Sequence, residues 1–131
     1  MILHNDAVDA ILTRRSIRIY QAKQISEDAL ETILTAGQYA PSGMNQQSAK
    51  AIVVQSKERM QQLVQLAKAA EQVDHNPFYD APTVILVFAD ATQLAPLEDG
   101  CNVLENMMLA AHSLGLGSCW IHREREMFEL P

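Results

Sequence analysis

Arg14-Arg15-Ser16-Ile17-Arg18 is the stretch whose residue types most plainly lend themselves to chemistry. A guanidinium presents a planar fork of donors that matches phosphate oxygens, and the Ser16 hydroxyl adds a neutral donor among the cations. The surrounding chain is acidic, with sixteen Asp and Glu against ten Lys and Arg, yet Arg14, Arg15, Arg18 and Lys23 all fall within its first twenty-three positions. Local positive charge on a globally negative chain points to a specific anion. The alternative is a solvated helix end, since cations near a helix C-terminus favour its dipole.

Two further stretches carry polar and small residues in a pattern. In Pro41-Ser42-Gly43-Met44-Asn45-Gln46-Gln47, Ser42 and Gly43 allow close backbone approach, and Asn45 and Gln47 each offer a donor and an acceptor. Taken alone, this is also what an ordinary polar turn after a helix looks like. The other stretch is Gly115-Leu116-Gly117-Ser118-Cys119-Trp120-Ile121. Cys119 has no lysine or arginine as an immediate neighbour, which favours a structural thiol over a nucleophile. Trp120 fits equally a core position or a pocket wall. Gly115-x-Gly117 is only a fragment of a dinucleotide fingerprint, and it follows a helix where that fingerprint follows a strand.

In this order and at these distances, the three stretches resemble the nitroreductase family of FMN-dependent oxidoreductases, from about Val8 to Ile121. The resemblance implies an α+β fold: an α/β/α sandwich with a central mixed sheet and long dimer-forming helices. It implies FMN, with Arg14 and Ser16 on the phosphate and ribityl and Arg18 near the N1/O2 edge of the ring. Arg15 is grouped with the cofactor-binding set, although its own side chain is expected to face solvent. Pro41, Ser42, Gly43, Asn45 and Gln47 would touch the flavin bound mainly by the other subunit of a homodimer. Cys119, Trp120 and Ile121 would pass along the ring near its reactive edge. No protein side chain is assigned a catalytic role, because the flavin itself accepts and donates hydride. The implied reaction takes hydride from NADH or NADPH and delivers it to a nitroaromatic, quinone or related electron-poor acceptor. Chains of the family continue for several tens of residues past a stretch like Met127–Pro131, so the C-terminal part of the domain is expected to be missing here. The alternative is therefore a catalytically incomplete flavin-binding protein of the same fold.

The elements that must position these residues follow from periodicity. Val8, Ile11 and Leu12 mark a short amphipathic helix, and Ile17, Ile19 and Tyr20 an extended segment. Ser26 caps a second helix with Leu30, Ile33 and Leu34 as its buried stripe, which should stop near Ala40 ahead of Pro41. Ala51–Val54 and Thr83–Ala89 read as strands, the latter covered on both faces. Between them Ser56 caps a helix carrying Met60, Leu63, Val64 and Ala67, followed by an irregular linker around Val73–Asp80. The longest helix should run from about Asp99 to Leu114, with Gly115 ending it. Ser118–Ile121 reads as a third strand, and Arg123-Glu124-Arg125-Glu126 as the start of a solvated helix.

Composition sets outer bounds. Residues 1–131 are expected to form one domain, 48% hydrophobic and 20% charged, as in ordinary globular chains. A net charge of −6 argues against nucleic acid or an anionic membrane as partner. No run approaches the roughly twenty apolar residues of a membrane span, and the N-terminus lacks a signal-peptide pattern, so a cytoplasmic location is expected. His4, His75, His112 and His122 lack helical metal-site spacing, Cys101 and Cys119 form no Cys-x-x-Cys, and no metal is expected.

Overall fold

The first three α-helices each begin where a short polar side chain meets an amphipathic run. A computed structural model describes residues Met1–Pro131. Asn5 accepts the Val8 N–H and opens α1, Asp6–Thr13. Ser26 accepts the Ala29 N–H and opens α2, Glu27–Gln38, which ends at Tyr39, two residues before Pro41. Ser56 accepts the Arg59 N–H and opens α3, Lys57–Glu71. The longest helix, α4, spans Pro96–Ser113. It starts earlier than the expected Asp99 because Pro96 occupies the first turn, where a missing N–H costs nothing. Its end is a Schellman motif: Leu116 N–H donates to the Ala111 carbonyl and Gly115 N–H to that of His112, with Gly115 at φ 75°.

Strands β1, Ala49–Val54, and β2, Val84–Ala89, pair antiparallel from Ala49 opposite Ala89 to Val54 opposite Val84. Alternation along β2 sends successive side chains to opposite faces. Val84 and Leu86 pack on the cluster of Leu63, Ala67, Phe78 and Met127, beneath α3. Ile85 and Val87 pack on Ile33, Met107 and Ala111, beneath α2 and α4. The result is an α+β sandwich, with α2 and α4 on one face of the sheet and α3 with the C-terminal turn on the other. Gly37 permits the approach of α2 to α4, for a Cβ there would lie 2.8 Å from Met107 Cγ.

Three expectations are corrected. Ser118–Ile121 is not a strand: a single parallel bridge joins Ser118 to Ser16, with Ile17 N–H donating to the Ser118 carbonyl at 2.9 Å. No further rung forms, and the Ile17 carbonyl accepts the Tyr20 hydroxyl. The sheet proper thus has two strands, paired antiparallel, and this isolated parallel bridge lies outside it. Arg123–Glu129 forms a 3₁₀ helix that is not wholly solvated, because Glu124 and Met127, three residues apart and so on one face, are both buried. The apolar stripe of α1 buries nothing: Ile11 and Leu12 are 59% and 45% exposed. Cys101 and Cys119 are free and half-buried.

Much apolar surface stays uncovered. The accessible area is 9119 Å², against about 6,900 Å² for a compact monomer of this mass. No helix is long and apolar enough to cross a membrane.

Candidate functional site

The Ser16–Ser118 bridge brings two of the three stretches together. Gly117 makes this possible: a Cβ there would sit 2.9 Å from Ile17 Cβ, so only glycine lets the extended Arg14–Arg18 segment lie against this backbone. Arg14 caps the end of α1, its backbone N–H donating to Ala10. Its side chain turns inward to α4, with Nε 3.9 Å from Glu105 Oε1. Arg14 Nη1 is buried and has no hydrogen-bond partner. A desolvated guanidinium nitrogen without an acceptor is costly, and an anionic oxygen is the group that would satisfy it. Arg15 instead folds back on Leu12 and Arg14 carbonyls at 2.9 and 2.7 Å, in an exposed position.

Beyond the bridge, Arg18 joins Cys119, Trp120 and Ile121 around a cavity of about 190 Å³, with Glu71, His75, Tyr79, His122 and Arg123 on its other walls. The Trp120 and His122 rings meet edge to face at 5.6 Å. Trp120 is half exposed, so it is a wall of the cavity and not core. Tyr20 lies beside it, its phenol pushed up to about 12, chiefly by burial, with Cys119 adding and Arg18 opposing. Arg123 pairs with Glu71 at 3.5 Å and Glu126 at 3.4 Å, and Glu126 raises its affinity for the proton further.

The third stretch lies apart. A larger cleft of about 460 Å³ holds only Gln47 among the candidate residues, together with Gln46, Ser48, Lys50, Phe88, Asp90 and Gln93. Neither cavity is lined by both the loop and the arginines. The loop itself is a 3₁₀ turn at Gly43–Asn45 with Met44, Asn45 and Gln47 at φ 50°, 56° and 49°. Its Ser42 Oγ accepts the Gln47 N–H at 3.0 Å, and the Pro41 carbonyl accepts Asn102 Nδ2 at 3.3 Å. The Asn45 side chain is exposed, as is that of Gln47.

Asp99 was missed as a site residue. Only 1% exposed, it accepts Gly43 N–H at 2.8 Å and Ser48 Oγ at 2.7 Å, pinning both ends of the loop to α4. In the sequence it marks only the start of the longest helix, where an acidic residue also suits the dipole, and nothing there distinguishes that place from burial. His75, Tyr79 and His122 were likewise missed, since no short-range spacing links positions that only the fold assembles around one cavity.

A two-stranded α+β sandwich with a basic segment laid against a glycine-containing one defines a class as well as a shape. The model of the nitroreductase family matches residues 11–124, and the chain belongs to that family. A relative from Methanothermobacter thermautotrophicus, provisionally named an NADH dehydrogenase/NAD(P)H nitroreductase, is 34% identical over 96% of this chain and 70% of its own length. The FMN reductase [NAD(P)H] of Bacillus subtilis is 31% identical; the match covers 97% of this chain and 61% of that protein. Among solved structures, the nitroreductase of Bacteroides fragilis with bound FMN superposes with a TM-score of 0.85 at 31% identity, over 98% of this chain and 82% of that one.

Proposed function

We propose that this chain is an FMN-dependent NAD(P)H oxidoreductase, reducing nitroaromatic, quinone or related electron-poor acceptors as a homodimer in the cytoplasm. The carrying observation is the buried, partnerless Arg14 Nη1 on the same segment as Arg18, which lines the cavity with Cys119, Trp120 and Ile121. That donor set fits a phosphate at one end and, at the other, the acceptor-bearing edge of a ring that gains negative charge on reduction. FMN, when bound, supplies the hydride chemistry. The residues of the chain bind and orient it: Arg14 and Ser16 would hold the phosphate and ribityl, and Arg18 would hold the ring edge where a cation favours the reduced cofactor. Cys119, Trp120 and Ile121 would border the ring, and Arg15, turned to its own backbone, would contribute charge alone. The raised Tyr20 value keeps that hydroxyl protonated, and it donates to the Ile17 carbonyl, so it does not act as a base at neutral pH. Family membership, an FMN reductase relative and the FMN-bound structure from Bacteroides fragilis support this reading.

The dimer reading is supported by the surface. Area about a third above that of a compact monomer, with Ile11, Leu12, Ile17, Leu94 and Leu97 exposed, suits a chain that buries these faces against a second copy. The separation of the Pro41–Gln47 loop from the Arg18 cavity also suits a loop that serves the partner's cofactor. Residues 1–131 would then act as one FMN-binding domain.

The test is anaerobic titration of FMN-loaded protein with NADH and NADPH. Bleaching of the oxidised-flavin absorbance, and its return when menadione or a nitroaromatic is added, is expected. Flavin that binds but does not bleach would identify a binding protein without turnover. A protein whose melting temperature ignores excess FMN would overturn the cofactor assignment.

A further inference from the structure

We propose that Asp99 is a positioning residue for the cofactor: it holds the Gly43–Ser48 loop in the shape that presents Asn45 and Gln47 to bound flavin. The inference rests on the FMN reading above. Asp99 is the largest side chain the fold buries completely, and it is a carboxylate. Burying a charge is costly unless it is paired or fully hydrogen-bonded. No cation pairs with Asp99; its partners are two neutral donors, Gly43 N–H at 2.8 Å and Ser48 Oγ at 2.7 Å. Both belong to the loop, one at each end. A buried carboxylate whose satisfaction comes from one loop makes that loop's shape a condition of the fold.

The loop would not keep this shape unaided. Met44, Asn45 and Gln47 all adopt the left-handed region, which side-chain-bearing residues seldom occupy and which persists where surroundings over-determine it. Gln46 is tied down separately, its Oε1 accepting the Leu94 N–H at 3.0 Å. Asn45 and Gln47 are left with side chains that make no hydrogen bond to this chain, exposed on either side of the tethered Gln46. The loop is therefore fastened at residues 43, 46 and 48, and its two free amides face outward. Such an arrangement suits a ligand taken from outside the chain, and it makes the helix residue Asp99 the control point for a contact it never touches.

The experiment compares wild type with Asp99→Ala, Asp99→Asn and Ser48→Ala. Amide hydrogen exchange is followed in the cofactor-free protein, and FMN affinity and visible circular dichroism in the loaded one. Asp99→Ala should raise exchange across 43–47 at least about tenfold, with β2 and α3 unchanged, and weaken FMN about ten- to a hundredfold. Asp99→Asn, which keeps one acceptor, and Ser48→Ala, which keeps the Gly43 bond, should fall between; both remain informative if Asp99→Ala does not fold. Faster loop exchange with unaltered FMN affinity and flavin dichroism would overturn the inference, as would weakened FMN with unaltered loop exchange. Wild type that takes up no FMN overturns the cofactor reading and this inference with it, and is distinguished because the fault appears before any substitution.

Discussion

Replacing Glu124 by Gln should stabilise the protein at neutral pH and do nothing in mild acid. Glu124 is 5% exposed, both its carboxylate oxygens are buried without a donor, and the Glu71 carboxyl lies against it. Burial first, then Glu71, pushes the Glu124 carboxyl up from 4.5 to about 8. Two ionised carboxylates offer each other no hydrogen, so the bond between them forms only when Glu124 keeps its proton. Because the folded value is raised, the folded state holds a proton that the unfolded state has released between pH 4.5 and about 8. Stability from this group is therefore full below pH 4.5 and is lost as pH climbs through that window. The slope cannot exceed about 1.4 kcal/mol per pH unit. Solvent screens part of this repulsion at a site near the surface, so the loss by pH 7 should be about 1–3 kcal/mol, below the ceiling of about 3.4. Gln is the neutral shape of protonated Glu and can donate its amide to Glu71 at every pH. Thermal melts from pH 5 to 8 should show the wild-type Tm falling relative to Glu124→Gln, by about 4–10 °C at pH 7 for a chain of this length. Parallel curves for the two proteins would refute the assignment of this titration to Glu124.

Other perturbations follow from the packing and the arginines. Arg14→Ala should weaken FMN about ten- to a hundredfold, the worth of one charge-assisted contact, while Arg15→Ala should cost far less, since Arg15 is already engaged with its own backbone. Equal losses in a fluorescence titration would remove the phosphate assignment. Gly37→Ala should destabilise by about 1–3 kcal/mol in urea, because the added methyl meets Met107 Cγ at 2.8 Å, and a Met107→Ala partner substitution should recover part of it. Excess FMN should raise the melting temperature in proportion to the logarithm of its concentration.

What could be read from the residues and what could not divide along sequence distance. Ser26, Ser56, Gly115 and the stripes of α2, α3 and α4 are local signals, satisfied within a turn or two, and the structure uses each as anticipated. The failures were long-range. Ser118–Ile121 has strand-like residues, but whether it pairs depends on a partner segment a hundred positions away, which meets it at a single bridge. Arg123–Glu129 looks polar enough for solvent, yet Met127 fills the core beneath α3 and carries Glu124 in with it. The site shows the same division. The three candidate stretches stood out by composition, and Gly117 against Ile17 supplies the physical reason two of them meet. Asp99 gave no such sign, because a carboxylate in the first turn of a helix is ordinary until its surroundings are known.

The tether at Asp99 also imposes an order of events on a chain made from its N-terminus. Gly43 and Ser48 precede their acceptor by 56 and 51 residues. At roughly 5–20 residues per second of synthesis, the loop waits about 3–11 s before Asp99 exists to receive it. During that interval its three left-handed residues have only bonds within the loop, such as Gln47 N–H to Ser42 Oγ, to hold them. The loop is thus among the last segments to acquire its shape, set only when α4 closes over the sheet.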